Sequence, residues 1–175
     1  MPLFVTMRVP VSRESIRAAL EGLCALNFQV MRQANELGGG FPPLYDSGIV
    51  YRKERHGYED WQNAIELLRA GRGDCEELAG YRVGELRCEG EPALPYIDIT
   101  PRGSFHALVE RASGELEDPS RILLAMEAEE RGLGAVRNSL ATEFAPLPPR
   151  RRRALGSVGM EHHELGELLL GRRYR

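Results

Sequence analysis

Gly71-Arg72-Gly73-Asp74-Cys75-Glu76-Glu77-Leu78 decides how the rest of the chain is read. Two glycines stop the apolar period of the preceding segment and Asp74 is a helix-capping residue type, so Cys75 falls in the first turn of a new helix. A thiol there faces the positive end of the helix dipole, where a thiolate forms most easily. Forward of it, Leu78, Ala79, Val83 and Leu86 recur at helical spacing and predict a helix ending near Gly90, with Cys88 in its last turn. Backward of it, Trp61, Ile65 and Leu68 predict a helix over 60–70, and Ile49-Val50-Tyr51-Arg52 a short strand that walls a cleft.

Further upstream, 41–48 carries turn chemistry. Ser12 offers a helix cap, and Ile16, Leu20, Leu23 and Val30 lie near one helical face over a segment that stops before Gly38-Gly39-Gly40. Val5, Met7 and Val9 alternate as a short strand would. Downstream of Pro92 and Pro95 the apolar period changes from 3.6 to 2. Segments 96–100 and 105–110 read as strands joined across Pro101-Arg102-Gly103, and 115–118 as a short returning strand after the Ser113-Gly114 turn, closed by Pro119. Phe105, Ala107 and Val109 share one face, which turns His106 to the other. A helix over 122–130, a linker marked by Pro146, Pro148 and Pro149, and a short helix over 161–170 complete the pattern. The fold class is α+β, with the Cys75 helix packed on an antiparallel sheet.

The 175 residues suit one domain with extensions: a strand and helix over 1–40, a core over 41–124, and a Pro- and Arg-rich extension over 125–175. Hydrophobic residues at 42% and charged residues at 28% are those of soluble globular proteins. A net charge of -3 gives no global reason to bind nucleic acid. The run Arg150-Arg151-Arg152-Arg153 lacks interleaved aromatics and reads as a solvated or partner-binding tail, a place for an assembly partner. No basic leader with an apolar run and cleavage site opens the sequence, and no apolar run approaches the roughly 18 residues a membrane helix needs, so the expected compartment is a reducing cytoplasm.

Three scattered cysteines without a CxxC pair argue against a disulfide framework or a structural zinc site. Cys24 adjoins an apolar stripe and reads as an inert core thiol. Cys88, at the wrong end of its helix for the dipole, reads as structural. His56, His162 and His163 read as surface residues. Cysteine acyl chemistry needs a nucleophilic sulfur, a base and a group that orients the base. Cys75, His106 and Asp118 supply those types in order. His106 follows Cys75 by 31 residues and Asp118 follows His106 by 12, about one hairpin, which sets the last two side by side on neighbouring strands.

Trp61-Gln62-Asn63-Ala64-Ile65-Glu66-Leu67-Leu68, then Gly71 to Ala79, Ser104-Phe105-His106-Ala107-Leu108-Val109 and Glu117-Asp118-Pro119-Ser120 together resemble the transglutaminase-like cysteine-enzyme superfamily. The Trp-x-x-x-x-Glu segment ahead of Gly-Asp-Cys-Glu is most similar to the bacterial transglutaminase-like cysteine proteases, with a weaker association with phage structural gene products. The resemblance spans roughly 49–123. It implies a papain-like core with Cys75 as nucleophile, His106 as general base and later acid, and Asp118 as orienter, acting on a protein or peptide substrate as a protease or amidase. Cross-linking by the same acyl-enzyme, or a non-enzymatic phage assembly protein associated with the virion, are the alternatives. The oxyanion would meet the Cys75 backbone N–H and a second donor from Trp61, Gln62 or Tyr51. No cofactor is required. In some bacterial members acidic residues at the positions of Asp74 and Glu76 bind calcium. Without a metal, Asp74 would cap the helix while Glu76 and Glu77 complement its dipole, and these carboxylates would raise the thiol pKa.

Overall fold

Capping residues set the helix boundaries. In the computed structural model, which describes residues 12–53, 61–99 and 104–131, Ser12 caps helix α1 (Arg13–Glu36) by accepting from the Ser15 N–H. Asn63 caps α2 (Ala64–Ala70) by accepting from two backbone N–H groups, and Gly71 ends it in the left-handed conformation, φ 64°. Asp74 caps α3 (Cys75–Cys88), and Asp118 caps α4 (Pro119–Glu130). The strands are β1 (Val50–Tyr51), β2 (Arg72–Gly73), β3 (Ala93–Ile99), β4 (Phe105–Arg111) and β5 (Leu116–Glu117). All described residues belong to Met1–Phe144, the first of two units into which the chain divides. The expected strand over 5–10, the linker at 146–149, the arginine run and the final helix lie outside them, as do His56, His162 and His163.

The architecture is mixed helix and sheet, as an α+β class requires. α3 is its axis, with ten of fourteen residues buried. One side of it joins Leu20 and Cys24 of α1 to Ala93, Ile97, Ala107 and Val109 of the sheet, and the other joins Met31, Leu44, Leu67 and Leu123. α1 approaches α3 at Gly84, where an added Cβ would lie 3.0 Å from the Asn27 Cβ and 3.1 Å from the Phe28 nitrogen. A larger residue there has to push the two backbones apart.

β3, β4 and β5 form an antiparallel meander, in register Ile97↔Ala107, Asp98↔His106 and Val109↔Glu117. Three local expectations change. α2 begins at Ala64 rather than near 60, because Asn63 takes the cap and Trp61 stays outside the helix. Pro95 sits inside β3, not before it. It shares the outward side of this edge strand with Ala93 and Ile97, whose carbonyls accept from Arg87 and Arg13 (2.8 and 2.7 Å), so the missing proline N–H removes no ladder bond. Arg72 and Gly73, expected as turn, form a strand parallel to β1, through Val50 N–H to Gly71 O (3.1 Å) and Arg52 N–H to Gly73 O (2.8 Å). Among the described residues no helix is long and apolar enough to cross a membrane.

Candidate functional site

The start of α3 is built as a capping box. The Asp74 carboxylate accepts from the Glu76 N–H (3.2 Å), while Glu77 reaches back to accept from the Asp74 N–H (2.9 Å). The second Glu77 oxygen accepts from the Gln62 N–H (3.0 Å), so one buried carboxylate ties the segment before α2 to the turn that delivers Cys75. Gly73 makes room for it. A Cβ there would collide with the Leu67 side chain and lie 2.7 Å from a Glu77 oxygen.

Cys75 is 8% exposed, in the core cluster that also holds Ala107 and packs Trp61 on its margin. Its sulfur donates to Glu76 Oε2 at 2.9 Å, and the Ala107 backbone N–H on β4 acts on it in favour of the thiolate. That donor is available for a topological reason. Ile97 spends its carbonyl on Arg13, which marks Ile97↔Ala107 as a pair that does not bond across β3 and β4. The Ala107 N–H therefore faces the side of β4 where β5 lies. Since β5 reaches β4 only at Val109 and Glu110, the Ala107 N–H is left to act on the sulfur.

The resting sulfur is a neutral thiol. Burial pushes its pKa well up, the Glu76 charge pushes the same way, and the Ala107 N–H pulls back less strongly than these. The helix start alone suggests a thiolate; its acidic neighbours reverse that. Asp74 is itself pushed up to about 7, by burial and then by the charge and hydrogen bond of Glu76. Asp74 is thus held toward its neutral form beside the thiol.

His106 Nε2 and Asp118 Oδ2 are 2.9 Å apart. The β4–β5 register carries Asp118 to a position opposite Leu108, so the contact is diagonal, from His106 across two residues. The other Asp118 oxygen accepts from the Arg121 N–H (3.1 Å) and caps α4. Burial disfavours the imidazolium, but the bond and charge of Asp118, with the charges of Glu76 and Asp98, outweigh it and leave the His106 pKa raised. Asp98 stands directly across β3 from His106, a neighbour that hairpin counting did not single out.

Tyr51 is paired in register with Gly73, and its hydroxyl lies in the field of Cys75, Asp74, Glu76 and Asp118. Burial, reinforced by those groups, raises its pKa and keeps it a donor. Of the other oxyanion candidates, Gln62 commits its backbone N–H to Glu77, and Trp61 packs at the core margin near Cys75.

Asp74 and Glu76, the expected calcium ligands, bond to each other and to the helix start. Among the described residues no group of three or more His, Cys, Asp or Glu side chains is arranged to hold a metal, so calcium binding rests on the resemblance alone. Cys24 is fully buried, its thiol pushed up to about 12 by burial, and Cys88 donates to the Phe28 carbonyl at 3.7 Å. Neither cysteine has the surroundings of a nucleophile. Glu117, just ahead of Asp118, had no sequence signal beyond a strand-end charge. It accepts from Tyr45, from Arg82 (2.7 Å) and from Arg111 (2.7 Å). Comparison with family models, with curated proteins and with solved structures found nothing that matches this chain.

Proposed function

We propose that this chain is a cysteine-dependent acyl-transfer enzyme of the transglutaminase-like, papain-like type, acting on a peptide or glutamine-like amide. The observation that carries the reading is the 2.9 Å contact of His106 with Asp118, on the strand whose next residue, Ala107, acts through its backbone N–H on the Cys75 sulfur. A base held by a carboxylate thus sits one residue along the strand from the backbone group that acts on the nucleophile.

Because the resting thiol is neutral, attack is coupled to proton transfer. The Cys75 proton passes to His106 as sulfur adds to the amide carbonyl. The oxyanion is met by the Cys75 backbone N–H in the first turn of α3 and, in this reading, by the Tyr51 hydroxyl. Collapse breaks the carbon–nitrogen bond, and His106 returns its proton to the leaving amine. Water, deprotonated by His106, then attacks the thioester carbon and releases the acid and the free thiol. A lysine amine in place of water yields a cross-link from the same intermediate. Asp118 holds the imidazole in orientation and stabilises its charged form.

One observation favours the rival reading of a phage structural or assembly protein that keeps this fold as a binding module: the sulfur is buried and its proton is held by Glu76. A screen of peptide cleavage and amine incorporation separates the two. The native chain is expected to turn over a substrate, and Cys75→Ala to abolish that with little change in melting temperature. Turnover that survives Cys75→Ala would remove Cys75 as nucleophile, and collapse of the fold in that variant would mark the thiol as structural.

A further inference from the structure

The His106–Asp118 pair depends on where β5 ends, and β5 is only two residues long. Two register pairs with β4 are a small anchor for a carboxylate that must hold an imidazole. Glu117 supplies what the strand lacks. Its side chain, 9% exposed, receives donors from three separate elements: Tyr45 from the 3-10 turn Leu44–Asp46, Arg82 from α3, and Arg111 from β4. Arg82 is itself braced by Glu85 (3.0 Å) and lies 5.3 Å from the centre of the Tyr45 ring, and Arg111 is braced by Glu91. Burial would raise the Glu117 pKa, but its three donors hold it below the usual carboxylate range. The carboxylate is therefore a fixed anion, linked by Arg82 to the helix that presents Cys75 and by the peptide bond to Asp118.

We propose that Arg82 and Glu117 are positioning residues for the His106–Asp118 pair, clamping the end of β5 to α3 so that Asp118 meets the imidazole. This rests on the reading of His106 and Asp118 as base and orienter, and it needs neither residue to touch substrate.

Besides Asp118 at the start of α4, charged groups that face His106 include Glu76 on α3 and Asp98 on β3. The test follows the His106 ring by NMR titration in the full chain and needs no turnover. Arg82→Met is the informative variant because through-space electrostatics and positioning predict opposite signs. Removing a nearby cation, by itself, makes the imidazolium easier to form and raises the titration midpoint. Loosening Asp118 lowers it. The expected result is a fall of about half a unit or more, part of the roughly one unit or more that a close opposite charge contributes. Arg82→Lys should restore most of the midpoint. Should Arg82→Met not fold, Tyr45→Phe removes one donor to Glu117 without changing any charge, and a downward shift is again expected. Glu127→Gln, which breaks ion pairs with Arg52 and Arg131 elsewhere on α4, is the control for mere destabilisation and should leave the midpoint in place. An unchanged or raised midpoint in Arg82→Met, or an unchanged one in Tyr45→Phe, overturns the inference. If Asp118→Asn itself leaves the titration unmoved, the pair fails, and with it the functional reading.

Discussion

Two helices of this molecule begin with an aspartate cap, and the two caps are used in opposite ways. Asp74 opens α3 within a full capping box, buried, with its pKa raised by burial and by the charge of Glu76 beside Cys75. Asp118 opens α4 with Pro119 at the first helical position, a favoured site for proline, and divides its two oxygens between the Arg121 N–H and the His106 ring. The difference comes from the company each keeps. Asp74 faces another carboxylate in a desolvated site, so holding a proton stabilises it. Asp118 faces an imidazole, whose charged form its bond and charge favour. One cap keeps its helix start closed around a neutral thiol, and the other makes its helix start part of a charge pair.

The rigidity of the first cap is the feature most easily broken. Gly73→Val should lower stability by about 3 kcal/mol in chemical denaturation, since the new side chain has to displace Leu67 and the Glu77 carboxylate. A loss under about 1 kcal/mol would mean that the entrance to α3 is soft. Next in size is the contrast between alanine variants of the two caps. Each loses a cap worth about 1 kcal/mol. At neutral pH, Asp118→Ala should cost more than Asp74→Ala, because it also removes the His106 partner, whereas Asp74→Ala relieves a crowded acidic pair. Equal losses, or the reverse order, would erase the distinction.

Glu76→Gln tests the neutral thiol directly. Removing the charge that holds the Cys75 proton should speed alkylation by iodoacetamide at pH 7 at least about tenfold, the effect of one pKa unit. An unchanged rate would show that burial alone keeps the sulfur protonated.

The two caps also differ in the pH dependence of melting. His106 has a folded pKa raised above its unfolded value, so its contribution is fully present below about pH 6.5 and is lost as pH rises through the folded value. Asp74 keeps in the folded state a proton that the unfolded chain gives up near pH 4. Stability therefore also falls as pH rises from about 4 toward about 7. Asp74→Asn, which keeps a capping side chain, should flatten the lower part of that profile, and Asp118→Asn the upper part. Identical profiles in both variants would mean that the two caps are not distinct in charge.

Much of this was legible in the chain because caps and hairpins are encoded over a few residues. Ser12, Asp74 and the Gly71 stop lie within four residues of the groups they serve, and the helix-to-hairpin switch before Ala93 needs only a change of period. A separation of 12 residues was enough to set His106 against Asp118, since one hairpin has few ways to close. Composition and spacing could not reach partners brought together by packing. Tyr45 and Glu117 are 72 residues apart and Arg82 and Glu117 are 35 apart, so the clamp on Asp118 exists only once α3 crosses the sheet. Likewise the parallel pairing of β1 with β2 and the place of Pro95 in β3 depend on which strand edge stays open. Sequence alone determined the residue types, the caps and the order of Cys75, His106 and Asp118. Tertiary structure decided the protonation of Cys75 and His106, because the charge of a buried group is set by desolvation and by neighbours from distant parts of the chain.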